Sequence, residues 1–355
     1  MATLSSLSIN ITSGGVAAPV SVFSPDGPLT EHQMLTQAGY DPDTHIIDGA
    51  IATTVNKSGT TYRFKAIKQV HDLPALHAAF SRPRRAPYKI AERTDRVLIV
   101  CYADPQWGKT ASGGGTPETI ERSARIRADV VAMARKLRPK YIIVLDLGDG
   151  IESFNNVASQ AFTNDLSLPQ QIDAYATDLF LWVEELARVA PVKVAIVPSN
   201  HSAWREGKQT LGRPEDDFGI LVHRLTEQRA NAARLDVTFT YPEPYDETVA
   251  IDALGHRIGL AHGHQFGPTG AAKWWSSQSF GRQATADAEV LVTGHYHHLA
   301  LQAVSANRFW VQCPTLDGGS DWYRAKSGLD TPPGVVTFEV DAVTGFDVGS
   351  LRLHN

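Results

Sequence analysis

Tyr141-Ile142-Ile143-Val144-Leu145-Asp146-Leu147-Gly148-Asp149 is an apolar run that stops on a glycine and an acid. An unbroken run of bulky apolar residues fits a strand covered on both faces, as in a parallel sheet with helices packed on it. The pattern recurs along the chain. Residues 97–102 are apolar and lead into Asp104-Pro105-Gln106, and 192–197 lead into Asn200-His201. Residues 257–261 lead into His262-Gly263-His264, and 290–293 into Gly294-His295-Tyr296-His297. Helical patterns lie between several of these strands. Thr116-Pro117-Glu118 predicts a helix start with a capping hydroxyl, a first-turn proline and an acid at the positive end of the dipole. That helix should reach Leu137, with Ile120, Ala124, Ala128, Val131 and Leu137 inward. Residues 171–189 and 214–234 also read as helices, and 299–304, 309–312 and 335–340 as strands. Alternating strands and helices predict an α/β fold, which places its ligand site where the carboxyl ends of the strands gather.

Carboxylates, amides and imidazoles therefore converge on one sheet edge. Oxygen and imidazole donors without thiolate suit Mn²⁺, Fe²⁺ or Zn²⁺ rather than a structural zinc knot. Of 13 histidines, 8 fall between His201 and His298. The ordered set Asp104-Pro105-Gln106, Gly148-Asp149-Gly150-Ile151-Glu152, Ser199-Asn200-His201, His262-Gly263-His264 and Gly294-His295-Tyr296-His297 resembles the calcineurin-like metallophosphoesterases. The resemblance spans residues 96–340 and implies a four-layer α/β/β/α sandwich of two mixed sheets. It implies two divalent ions, Mn²⁺ first, with Fe²⁺ or Zn²⁺ as alternatives. Asp104, Gln106 and His297 would hold one ion and Asn200, His262 and His295 the other, with Asp149 bridging. A hydroxide shared by the ions would attack phosphorus, and His201 would serve the leaving oxygen as a proton donor or as an imidazolium. Lys109, Arg205, His264 and His298 are the candidate substrate contacts.

This chain departs from the family pattern at three places. Gln106 stands where many members carry His, Ser199 replaces the glycine before Asn-His, and Ser202 follows His201 where an acid usually orients the ring. Glu152 is the candidate substitute for that acid. The motif set and the segment around Leu316-Asp317-Gly318-Gly319 resemble most the DNA repair exonuclease branch and phosphoesterases often encoded by phages. The resemblance thus implies a Mn²⁺-dependent phosphodiesterase acting on nucleic acid, DNA first, in a cytoplasm that could be a phage host's. Two further readings fit the same blocks. One is a phosphodiesterase or phosphatase for small molecules. The other is a metal-binding scaffold with weakened activity, suggested by Gln106, Ser199 and Ser202.

Composition bounds these readings. The chain has 355 residues, of which 43% are hydrophobic and 20% charged, so it can build a large core. Its two cysteines exclude a disulfide scaffold and fit a reducing compartment. No apolar run approaches a membrane span, and residues 1–22 lack the pattern of a secretory signal. The net charge of -5 excludes a globally basic nucleic-acid wrapper. A helix capped by Thr30 with Gln33 and a hairpin over 50–68 predict a small α+β accessory domain in residues 1–92. The linker Ser81-Arg82-Pro83-Arg84-Arg85-Ala86-Pro87 closes it, and residues 93–355 form the catalytic domain. Arg82, Arg84 and Arg85 are candidates for a nucleic-acid backbone. Trp107, Trp204, Trp274, Trp275 and Trp322 are candidates for base stacking. Gly113-Gly114-Gly115 reads as a mobile loop near the site. Asp146 reads as a turn residue, and His32, His45, His71, His77 and His223 as surface residues.

Overall fold

The computed structural model describes residues 19–42, 45–68, 73–80, 86–88, 92–154, 163–207, 209–321, 324–325, 328 and 331–355. The elements run Val20–Ser24 (β1), Glu31–Gln37 (α1), His45–Asn56 (β2), Gly59–Lys68 (β3) and Leu73–Phe80 (α2). They continue with Arg96–Tyr102 (β4), Thr116–Leu137 (α3), Tyr141–Asp146 (β5), Leu168–Ala187 (α4), Val192–Ile196 (β6), Arg205–Glu206 (β7), Gln209–Thr210 (β8) and Phe218–Ala232 (α5). Then come Val237–Thr240 (β9), Thr248–Ala253 (β10), His256–Ala261 (β11), Ala271–Phe280 (α6) and Val290–Thr293 (β12). Ala300–Ser305 (β13), Arg308–Gln312 (β14), Val335–Asp341 (β15) and Gly345–His354 (β16) close the chain.

The first three strands pair antiparallel in the order β1-β3-β2. They share an apolar cluster with α1 made of Val22, Met34, Leu35, Tyr62, Phe64 and Ala66. Thr30 and Gln33 form the predicted capping box: the Gln33 N–H donates to Thr30 Oγ1 (3.3 Å) and the Thr30 N–H to Gln33 Oε1 (2.9 Å). Arg82, Arg84, Arg85, His71 and Trp322 lie outside the described residues.

Two larger sheets follow from strict alternation along their strands. The six-stranded sheet has the order β16-β15-β4-β5-β6-β9, and β4, β5, β6 and β9 run parallel. The five-stranded sheet has the order β10-β11-β12-β14-β13, with β11, β12 and β14 parallel. Val97, Ile99 and Cys101 of β4 face Ile258, Leu260, Val290 and Val292 of the other sheet across one core. Leu98, Val100 and Tyr102 point the opposite way, onto Ile126, Val130, Tyr175, Leu179, Trp182 and Val222 of α3, α4 and α5. On the far side, Leu291 and Trp310 pack against Ala271 and Trp275 of α6. These are four layers, α/β/β/α. Each Val, Leu or Ile fully buried here contributes about 1.5–3 kcal/mol before chain entropy is counted. Among the described residues no helix is long and apolar enough to cross a membrane.

The predicted inner face of α3 is met only in part. Ile120 and Val131 are buried as expected and Ala124 and Leu137 partly so, but Ala128 is exposed, and Ser123, Ile126, Arg127, Val130 and Ala134 complete the inward face. Two of these are polar because they serve Asp178 on α4. Arg127 Nη1 lies 2.9 Å from Asp178 Oδ1, and Ser123 and Tyr102 donate hydroxyls to the same carboxylate (2.8 and 3.0 Å). Burial pushes the Asp178 carboxyl up, and Arg127 and Ser123 oppose that shift. The Thr116 hydroxyl does not cap its own helix. Gly115 holds the cap position, and Asp165 accepts the Thr116 N–H (2.7 Å) and hydroxyl (2.6 Å) from outside. The helix predicted over 214–234 starts later, at Phe218, on Asp217. β9, β10, β16 and α6 were not read from sequence. α6 buries only Ala271 and Trp275, and β16 is an edge strand that is mostly half-buried, so their apolar signals are weak.

Candidate metal centre

The loops after β4 and β5 run side by side. The Asp104 N–H donates to Gly148 O (3.2 Å), Gln106 N–H to Asp149 O (3.0 Å), Trp107 N–H to Gly150 O (3.0 Å), and Glu152 N–H to Trp107 O (3.1 Å). This short parallel ladder sets Asp104 and Gln106 beside Asp149 and Glu152. The second sheet reaches the same place through Gly294, where a Cβ would overlap Asp104 Oδ2. That close approach lets both Asp104 oxygens accept the His295 N–H (3.1 and 3.0 Å). Asp104, Gln106, Asp149, His295 and His297 have φ of 47°, 39°, 48°, 70° and 56°. Each left-handed L-residue costs about 1–2 kcal/mol, and such strain gathers at functional sites.

One donor group is compact. Asp149, His262 and His295 place ligand atoms within 4.8 Å of one another, the only such histidine, cysteine or acid group among the described residues. The His262 Nδ1 lies 2.6 Å from Leu147 O. A carbonyl only accepts, so Nδ1 carries the proton and Nε2 turns inward, an orientation typical of ligating histidines. Nε2 meets Asn200 Oδ1 at 2.9 Å and Asp149 Oδ2 at 3.1 Å. Two oxygens and two imidazoles around one point fit Mn²⁺, Fe²⁺ or Zn²⁺ by donor type. Burial pushes the Asp149 carboxyl up, but His262 and His201 outweigh it and hold the carboxyl well below the usual range. Burial lowers the pKa of His262, yet Asp149 and Asp104 raise it to about 9. Burial and His262 push His295 down to about 3, which leaves its ring neutral.

The other expected group is looser. His297 Nε2 stands 3.7 Å from Asp104 Oδ1. Gln106 Oε1 accepts a hydrogen bond from the Lys109 ammonium at 2.5 Å, and Lys109 Nζ pairs with Asp317 Oδ2 at 2.7 Å. The Lys109 and Asp317 side chains are only 11% and 2% exposed, so Lys109 points inward rather than toward solvent. Gln106 Nε2 faces the His201 ring at 3.4 and 3.5 Å. The His201 N–H donates to Asp149 Oδ1 (2.7 Å), and His201 Nδ1 lies 3.2 Å from Glu152 Oε2. Glu152 thus stands where the missing acid after His201 would act, while the Ser202 hydroxyl is buried without a hydrogen-bond partner among the described residues. Arg205 donates to the carbonyls of Asn200 and Gly207, bracing the His201 loop. His264 lies with its ring 5.4 Å from that of His262 and its Nε2 3.6 Å from Glu247. His298 Nδ1 turns to the Tyr296 carbonyl at 2.9 Å.

Four residues have supporting roles that the sequence reading did not give them. Asp146 is no turn residue: it is fully buried and binds the Tyr175 hydroxyl (2.5 Å), His223 Nε2 (2.9 Å) and the Gly148 N–H (3.0 Å). His223 is correspondingly buried, not at the surface. The Ser199 hydroxyl accepts the Asp149 N–H at 2.7 Å, which gives the departure from glycine a positive role. Asp217 accepts the Gly219 and Ile220 N–H groups (2.6 and 3.2 Å) and also the Ser199 N–H (3.0 Å). It caps α5 and clamps the Asn200-His201 loop at once. An acid just before an apolar helical run was the available signal. Burial pushes its carboxyl up to about 7 against those three donors. Asp217→Ala should lower the unfolding free energy by about 1–2 kcal/mol, the usual cost of a lost cap. A urea midpoint unchanged from wild type would refute that role.

The aromatic candidates divide. Trp107 is buried and packs edge-on against Phe80 (5.6 Å), Trp275 is buried with its Nε1 on Thr285 O (2.8 Å), and Trp274 tilts on Phe266. Trp204, three residues beyond His201, is 61% exposed. The glycine loop is folded rather than open: Ala111 and Gly114 bond each other (3.0 Å), and Gly113 lies against the Gly318 backbone.

No family model and no curated protein matches this sequence. Among solved structures, Vps29 from Entamoeba histolytica complexed with zinc is 14% identical and covers 72% of this chain and 96% of its own, with a TM-score of 0.31. A conserved uncharacterized protein from Streptococcus pneumoniae TIGR4, described as a predicted phosphoesterase, is 11% identical (73% and 97% covered, TM-score 0.30). Vps29 from Chaetomium thermophilum is 12% identical (70% and 83% covered, TM-score 0.34). Likeness at this level carries no weight for function. The four layers place the donor loops after β4, β5, β6, β11 and β12 together on one edge of the two sheets.

Proposed function

We propose that the chain is a metal-dependent phosphoester hydrolase of the calcineurin-like type, acting on phosphodiesters of nucleic acid, with Mn²⁺ as the working metal. One observation carries this reading: donor atoms of Asp149, His262 and His295 converge, with Asn200 Oδ1 beside them, from the ends of separate strands in both sheets. A divalent cation bound there would supply Lewis acidity toward phosphoryl oxygens and an activated water near neutral pH. The chain's own residues do the rest. Glu152 and the Asp149 carboxylate position His201, whose side chain is 20% exposed and so can exchange protons with solvent. We assign His201 the leaving oxygen, as proton donor or charge stabiliser. Trp204 offers an exposed indole in the same loop, suited to stacking on a base.

A second substrate reading has its own support. Lys109 pairs with Asp317, and Arg205 donates to the carbonyls of Asn200 and Gly207, so among the described residues neither of the two expected cations is aimed at a long polyanion. A small phosphodiester or phosphomonoester needs no such contacts. A Mn²⁺-supplemented panel of single-stranded DNA, duplex DNA, RNA, cyclic nucleotides and phosphomonoesters separates the two. His201→Ala should slow the best substrate by about 10²–10⁴-fold with metal content unchanged. An unchanged rate would remove His201 from the mechanism. Bound metal without turnover on any phosphoester would favour the scaffold reading instead.

A further inference from the structure

The two donor groups differ in one respect that bears on how many ions the site takes. Around Asp149, His262 and His295, the ligand atoms converge on a common point. Around Asp104, Gln106 and His297, the place is contested by a cation of the protein's own. Lys109 Nζ sits 2.5 Å from Gln106 Oε1, the one oxygen that this side chain could give to a metal. It also sits 2.7 Å from Asp317 Oδ2, and both charged side chains are nearly sealed from solvent. The buried pair is built from both ends. Asp317 comes from the loop after β14, fixed by the Thr315 hydroxyl on the Asp104 carbonyl (2.7 Å) and by the Leu316 N–H on Ala103 O (3.1 Å). Lys109 is fixed by its own N–H on Gln106 O (3.0 Å). An ammonium is a compact point charge, and a buried one persists only with a matched partner.

We propose that the Lys109 ammonium stands in for the first metal, so that the centre holds one divalent ion rather than two. This rests on the metal-dependent reading above and narrows it. A monocation held by Gln106 and Asp317 supplies one positive charge beside the ion at Asp149, His262 and His295. It also repels a second dication from Asp104 and His297. The arrangement gives the exchange of histidine for glutamine at residue 106 a physical sense. An amide oxygen only accepts and cannot titrate, whereas an imidazole in its place could take up a proton and repel the lysine.

Equilibrium dialysis of the full chain against Mn²⁺, followed by elemental analysis and Mn²⁺ electron paramagnetic resonance, tests this without reference to turnover. Wild type should retain one ion per chain and show an uncoupled spectrum. Lys109→Met combined with Gln106→His should raise retention toward two ions and produce an exchange-coupled spectrum. Two ions in wild type with Lys109 intact would overturn the proposal while leaving the metal-dependent reading standing. No ion in wild type would overturn both. Should the double variant fold poorly, the wild-type stoichiometry still decides. A folded double variant that keeps a single uncoupled ion would show that Lys109 is not what excludes the second.

Discussion

Asp149→Asn should release the bound divalent ion and slow phosphoester hydrolysis by about 10³-fold or more. The carboxylate is the centre of the donor group, 3.1 Å from His262 Nε2 and 2.7 Å from the His201 backbone N–H. Asparagine keeps the shape but offers one neutral oxygen in place of a charged pair. Losing about 4 kcal/mol of transition-state stabilisation, well within what a bound cation supplies, corresponds to about 10³ in rate. Elemental analysis and a phosphodiester assay measure the two effects on one preparation, with circular dichroism checking the fold. Retained metal with retained turnover would exclude Asp149 as a ligand and remove the support for the whole site.

The largest stability effect is expected away from that centre. Arg127→Ala should cost about 3–5 kcal/mol, because it leaves Asp178 charged or forces it to take up a proton in a sealed environment. Asp178 is 1% exposed at its side chain and draws on Arg127, Ser123 and Tyr102 together. Trp182 Nε1 donates to Ser123 (3.0 Å) and Trp107 Nε1 to Tyr102 (3.2 Å), which extends the network through the helix layer. Replacing both partners, as Arg127→Met with Asp178→Leu, should recover only part of the loss, because the buried Ser123 and Tyr102 hydroxyls then lose their acceptor and Glu185 loses Arg127. Urea unfolding of the two variants measures this. A single variant within about 1 kcal/mol of wild type would mean that the pair is not the brace its geometry indicates.

These two predictions also mark what sequence can and cannot convey. The strands at 97–102, 141–145 and 290–293 were legible because parallel strands covered on both faces read as apolar runs. Their donor loops were legible because each follows its strand directly, so local order maps onto one spatial edge. Asp217 was within reach of capping rules and was missed through a helix started too early. The Asp178 cluster was not legible, since an arginine at residue 127 on an inward helix face looks like a surface residue until its partner arrives from another helix. Lys109 and Asp317 are 208 positions apart, and no local pattern links them. The buried Asp146 and His223 show the same limit: polar groups satisfied at long range carry no periodicity.

The left-handed backbone at Asp104, Gln106, Asp149, His295 and His297 sets fold stability against donor chemistry. Glycine would occupy each of those positions with less strain. A change such as Gln106→Gly would relax the backbone there and at the same time remove a polar side chain from the donor cluster. The five positions are thus places where firmness of the fold and capacity to hold a cation pull in opposite directions.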